Sequence, residues 1–218
     1  DGINGITGVY SLVLLFSFVF ISCKSTFKVV ERKDIVLDSI SIRAIMPMND
    51  GVWFGGTNSK AGFISFQNDL DTKIVKLQKE KTDFRSIANN GMDILLINAG
   101  SPANMYKMNT FGYSCTSNLV FTESGEKVFY DSMFIDVKTG FGIIMGDPTE
   151  DCLSILLTED FGKTWRKIPC TNLPRTVEGE AAFAASDTNV KIVDGVIFII
   201  SGGKKSRLFK SEDKGKTW

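Results

Sequence analysis

An eight-residue motif occurs twice in this chain, and the spacing of its copies limits the folds open to it. Thr158-Glu-Asp-Phe-Gly-Lys-Thr-Trp165 returns as Ser211-Glu-Asp-Lys-Gly-Lys-Thr-Trp218, 53 residues later. Both copies fit the pattern S/T-x-D-x-G-x-T-W, the Asp box. The chemistry of the pattern is local. The carboxylates of Asp160 and Asp213 can accept hydrogen bonds from turn N–H groups, and Thr158, Thr164, Ser211 and Thr217 flank them with hydroxyls. Gly162 and Gly215 allow a positive φ without a Cβ clash. Trp165 and Trp218 are large apolar plugs suited to packing between sheets. A period near 50 residues is long enough for one four-stranded antiparallel unit with its loops.

The rest of the chain agrees with that period. Ile94–Ile97, Phe141–Met145, Ser154–Leu157 and Val196–Ile200 are apolar runs of four or five residues bounded by Gly, Asn and Asp. That is strand length, too short for a helix, and no long stretch keeps a 3.6-residue apolar period. Ser41-Ile-Arg-Ala-Ile45 parallels Phe84-Arg-Ser-Ile87, and glycines recur at Gly55–Gly56, Gly100, Gly146 and Gly202–Gly203. These landmarks predict an all-β chain forming a partial β-propeller of about four blades, each of four antiparallel strands. The blades are expected at 36–80, 81–126, 127–175 and 176–218, with further blades after Trp218. In the second, Met108 to Cys115 reads as a decayed Asp box that keeps Gly112 and has Cys115 in place of Trp. Each tryptophan is expected to wedge against the next unit.

The N-terminal segment has a different character. Tyr10 to Ile21 is apolar except for Ser11 and Ser17, the length of a signal-peptide core and short for a membrane span. It ends in Phe20-Ile21-Ser22-Cys23, which resembles a lipobox, although no Lys or Arg precedes the run. Residues 1–22 are expected to be a signal peptide, Cys23 the lipidation site and 23–35 a tether. Two acyl chains on Cys23 would anchor the protein to the bacterial cell envelope, facing the periplasm or the cell surface.

Composition removes several functions. The chain contains no histidine, so a Ser-His-Asp triad, a Cys-His dyad and imidazole metal sites are excluded. Lys+Arg and Asp+Glu are both 25, a balance that does not point to nucleic acid. The four cysteines form no C-x-x-C pair, and no glycine fingerprint for a dinucleotide is present. No metal and no cofactor is expected. Cys152 and Cys170 lie equally far from Phe161, so a hairpin centred there would bring them face to face. An exported compartment would then permit a disulfide, with two free buried thiols as the alternative.

The quoted motifs resemble the photosystem II assembly-factor propellers and their bacterial relatives, within the wider BNR or sortilin-like repeat group. The resemblance covers roughly residues 40–218. It is carried by Phe84-Arg85-Ser-Ile87, Gly100-Ser-Pro102-Ala-Asn-Met-Tyr106-Lys107, Met145-Gly-Asp-Pro148, Gly179-Glu-Ala-Ala-Phe-Ala-Ala-Ser186 and the two Asp boxes. It implies a propeller, seven-bladed in its best-known members, that serves as a binding scaffold, and it implies no photosynthetic role here.

Arg43, Arg85, Asp131 and Glu180 fall just ahead of each repeat's first apolar strand, the strand that lines a propeller's channel. They are candidates for one binding mouth, against the plainer reading of separate solvated or ion-paired charges. Asp147, in Gly146-Asp-Pro148, is either a turn-capping residue or a channel-facing carboxylate. The expected function is a membrane-anchored scaffold that binds or helps assemble a protein partner. The alternative is a sialidase-like glycoside hydrolase whose Tyr/Glu pair and further arginine would lie in later blades. The chain has no Arg-Ile-Pro start motif in support of that alternative.

Overall fold

In the computed structural model, residues 32–67, 70–109, 116–183 and 187–218 are described. The chain divides into two units, Asp1–Val36 and Leu37–Trp218. Cys23 and the apolar run before it lie outside the described residues, as do Gly112 and Cys115. No helix among the described residues is long and apolar enough to cross a membrane.

The second unit is all-β. Its first sheet runs β1 (Ile42–Pro47), β2 (Gly51–Gly56), β3 (Lys60–Ser65) and β4 (Thr72–Lys76), in sequence order and antiparallel throughout. The second repeats the pattern with β5 (Phe84–Asn89), β6 (Asp93–Asn98), β7 (Ala103–Asn109) and β8 (Ser117–Glu123). The third consists of β9 (Tyr130–Ile135), β10 (Gly142–Gly146), β11 (Ser154–Thr158) and a short β12 (Arg166–Lys167).

Among the described residues, the fourth repeat forms a three-stranded sheet of β14 (Val190–Val193), β15 (Val196–Ile200) and β17 (Leu208–Ser211). A separate two-stranded ladder pairs β13 (Glu180–Ala181) with β16 (Gly202–Gly203). The hairpin from β14 to β15 turns on Asp194 and Gly195, with φ of 50° and 80°. Positive φ at both positions matches the right-handed twist of the flanking strands.

Neighbouring sheets pack face to face through three apolar layers. Trp53, Ala61 and Phe84 with Leu96 join the first sheet to the second. Leu95, Ile97 and Met105 meet Met133, Ile135, Ile144 and Leu156 between the second and third. Ile143, Ile155 and Leu157 meet Ile192, Ile197 and Phe209 between the third and fourth. Alternation along each strand supplies one apolar row to each layer. Close approach is needed at Gly55, where a Cβ would come within 2.7 Å of Leu96 and 2.9 Å of Phe84. The first strands also stand side by side: β1 beside β5, β5 beside β9, and β9 beside β14.

Both Asp boxes close their turns in the same way. Asp160 accepts the Thr164 amide at 2.9 Å and the Thr158 and Thr164 hydroxyls at 2.8 and 2.6 Å. Asp213 accepts the Thr217 amide at 2.8 Å and the Ser211 and Thr217 hydroxyls at 2.9 and 2.6 Å. The Gly162 and Gly215 amides donate to the Thr158 and Ser211 hydroxyls at 3.0 and 2.8 Å. Phe161 and Lys214, ahead of the glycines, also take positive φ, at 63° and 58°.

The direction of the tryptophan wedge differs from expectation. Trp165, on the third repeat, packs in the layer shared with the second sheet, and Trp218 in the layer shared with the third. Each plugs the seam behind it. The box turn bends the chain back toward the preceding sheet, where Leu95 meets Gly162 and Leu157 meets Gly215. Cys152 and Cys170 are disulfide-bonded, with Cα atoms 5.6 Å apart, across the base of the first Asp-box hairpin.

Candidate functional site

Three of the charged candidates share one structural position. The ladder from β1 to β2 passes from Ile42↔Gly56 to Ala44↔Gly55 and leaves Arg43 unpaired. From β5 to β6 it passes from Phe84↔Asn98 to Ser86↔Ile97 and leaves out Arg85. From β9 to β10 it passes from Ser132↔Met145 to Tyr130↔Gly146 and leaves out Asp131. Arg43, Arg85 and Asp131 are therefore the extra residues of equivalent β-bulges, each near the start of a first strand. A bulge re-aims one side chain out of the alternating pattern, which is how three neighbouring sheets present a charge at the same level.

Asp83 ties the two arginines together. Its Oδ2 lies 3.4 Å from Arg85 Nη2 and 3.6 Å from Arg43 Nε. Asp131 is 1% exposed, and its Oδ2 has no hydrogen-bond partner. Burial first, and the neighbouring Asp147 second, push its carboxyl up to about 8, against the Asp147 amide and the Arg85 charge, which pull it down. Asp147 links the third repeat to the fourth, since its Oδ1 accepts the Ala182 amide at 2.9 Å while its own amide donates to the Phe129 carbonyl.

Glu180 stands apart from this group. Arg207 grips it with Nε to Oε1 at 2.9 Å and Nη2 to Oε2 at 2.6 Å. The Ser201 hydroxyl adds 2.5 Å and the Val177 amide 3.0 Å. These donors, Arg207 foremost, hold its carboxyl down to about 2. Its oxygens are occupied within the fourth repeat.

Below the bulges, the first strands line a groove of about 730 Å³. Its wall includes Arg43 and Ile45 from β1, Asn89 from β5, Phe134 from β9, and Asp187 and Lys191 from the fourth repeat. Asp187 was not legible as a site residue. It precedes β14 with φ of 51° and reaches across two sheets. Its carboxylate accepts the Ser86 hydroxyl at 2.6 Å, the Ile87 amide at 2.8 Å and the Met133 amide at 3.3 Å. Burial nevertheless dominates and pushes its carboxyl up to about 7, against those three donors and the charge of Lys191.

Asp83 and Arg207 were missed as well. Asp83 could have been suspected two residues before an arginine, whereas Arg207 and Asp187 lie in polar stretches with no distinguishing pattern. A cluster of Glu150, Asp151 and Cys170 brings three ligand-type groups together. Its sulfur is tied up in the disulfide and Asp151 is ion-paired with Arg175, so it makes a poor cation site. Comparison of the chain with known protein families and with curated proteins found no match. The class the coordinates define is a stack of antiparallel, mostly four-stranded sheets with their first strands adjacent.

Proposed function

We propose that this chain is part of a β-propeller, exported and lipid-anchored through Cys23, that acts as a protein-binding or assembly scaffold. The observation that carries the reading is the equivalence of the Arg43, Arg85 and Asp131 bulges on three adjacent first strands. Adjacent first strands with sheets radiating outward are the arrangement of propeller blades around a channel. The two partly exposed arginines, raised at one level of such a channel with Asp131 buried beside them, form a face that can meet another protein. The Asp boxes support the reading as seam fasteners, since their carboxylates and hydroxyls are spent on their own turns and their tryptophans pack in the layers between sheets. The lipobox-like Ser22-Cys23 supports the anchor.

The test is affinity capture from solubilised bacterial membranes, comparing the wild-type protein with an Arg43→Ala/Arg85→Ala double variant. A partner retained by the wild type and lost by the variant supports the scaffold. Identical partners on both would overturn the arginine face. Turnover of sialosides or other glycosides by the full-length protein would instead favour a hydrolase.

A further inference from the structure

The first strands expose backbone groups as well as charges. Hydrogen-bonded and non-hydrogen-bonded pairs alternate along an antiparallel ladder, so every second N–H points away from the partner strand. The turns set the phase. Met48 N–H donates to Gly51 O, Asn90 N–H to Asp93 O, and Asp136 N–H to Phe141 O. Counting back three positions along each first strand reaches Ile45, Ile87 and Met133. These pair with Phe54, Leu96 and Ile144 as non-hydrogen-bonded pairs. Their N–H groups therefore lie on the free inner edge, two residues after each bulge.

Two of these equivalent amides are already occupied, and by one carboxylate. Asp187 takes Ile87 and Met133 together. The third, Ile45, meets no acceptor among the described residues, and its side chain is 57% exposed in the groove. Arg43, on the same strand and the same wall, lies 3.6 Å from Asp83. That is an ion pair longer than a hydrogen bond, so the Arg43 guanidinium N–H groups have no hydrogen-bond acceptor among the described residues. The groove's two carboxylates are committed, Asp187 to β5 and β9, and Asp136 to the Lys138 amide and the Thr139 hydroxyl. The remaining charges on the wall, Arg43 and Lys191, are cationic.

We propose that the Ile45 N–H and Arg43 together form a receptor for a carboxylate, filled by an aspartate or glutamate side chain from a loop of a partner protein. The partner's acid would sit on β1 as Asp187 sits on β5 and β9. Strand addition along this edge is blocked, because Pro47, at the next outward position, has no N–H to give. A single carboxylate contact, not a ladder, is what the edge can accept. This inference rests on the scaffold reading and names the chemistry of the partner at that site.

The experiment is a titration of the ¹⁵N-labelled chain with the capped peptide acetyl-Gly-Asp-Gly-amide, against acetyl-Gly-Asn-Gly-amide. The expected result is a saturable shift of the Ile45 amide with the Asp peptide alone. Arg43→Gln should weaken it about tenfold, the loss of one charge-assisted contact. Ile45→Pro removes the outward N–H without breaking a ladder hydrogen bond to β2 and should abolish binding with the circular dichroism of the fold retained. Equal shifts with both peptides, an Ile45 amide that does not move, or wild-type binding by a folded Ile45→Pro variant would overturn the proposal. If membrane partners are retained while Ile45 stays silent, this inference falls and the scaffold stands. An Ile45 response with no partner retained removes the scaffold and leaves the carboxylate receptor.

Discussion

The side-chain amide of Asn90 donates to the backbone carbonyl of Phe161 at 2.8 Å, binding the first turn of the second sheet to the Asp-box turn of the third. The same side chain accepts the Met92 and Asp93 amides at 2.9 and 2.7 Å and is 3% exposed. Asn90 thus closes its own hairpin and fastens the seam. Asn90→Ala would remove the donor to the Phe161 carbonyl and the acceptor of the Asp93 amide. A loss of about 1–3 kcal/mol in unfolding free energy is expected, measured by urea denaturation. A change within experimental error would mean that the seam is held by apolar packing alone.

Gly162 and Gly195 separate turn geometry from packing. Both have positive φ, 77° and 80°. A Cβ at Gly195 meets nothing within 4 Å, whereas one at Gly162 comes within 2.7 Å of Leu95 across the seam. Gly195→Ala should cost about 1 kcal/mol, the backbone term alone. Gly162→Ala should cost about 1–3 kcal/mol more through overpacking. Thermal unfolding of the two variants side by side checks the difference, and equal costs would argue against a tight seam.

Stability should depend on pH through the raised carboxyls. Asp131 and Asp187 are pushed up to about 8 and about 7 from an ordinary value of 3.8. Between pH 4 and those values the folded state holds protons that the unfolded state has lost. Their contribution is complete below about pH 4 and disappears as pH rises through 7 to 8. Glu180 acts in the opposite sense: held down to about 2, it adds stability above its ordinary 4.5 that is lost as pH falls toward 2. Asp131→Asn should flatten the decline between pH 5 and 8, read from chemical denaturation across that range. An unchanged slope would mean that Asp131 ionises in place at its ordinary pH.

The disulfide closes a short loop around the Asp-box hairpin, its cysteines 18 residues apart. Chain entropy assigns such a loop about 3 kcal/mol. Paired Cys152→Ser and Cys170→Ser substitutions should lower stability by about 2–4 kcal/mol. Adding reductant should lower the wild type to the same level and leave the double variant unchanged. If reductant destabilises both alike, the bond is not the cause.

Much of the architecture was written locally. Short apolar runs between turn residues specify strands, and the box motif specifies its turn, because the side-chain hydrogen bonds of Thr158, Asp160 and Thr164 all close within four residues. The shared place of Arg43 and Arg85 was visible as parallel Ile-Arg-Ala and Phe-Arg-Ser segments. The bulges that raise those arginines were not, since a bulge is a mismatch between two strands and exists only once they pair.

What the sequence determined by itself is the part built from contacts between near neighbours: the strands, the box turns and the period that spaces them. Tertiary structure alone decided which charges meet. Asp187 reaches Ser86 across 101 residues and Glu180 finds Arg207 across 27, with no local pattern to announce either. A buried carboxyl either gathers donors, as Glu180 and Asp187 do, or has its pKa pushed up, as Asp131 does, and the convergence of donors is a property of stacked sheets, not of any one segment. The same stacking turned the tryptophans toward the preceding sheet and left Ile45, of three equivalent edge amides, the one without an acceptor among the described residues.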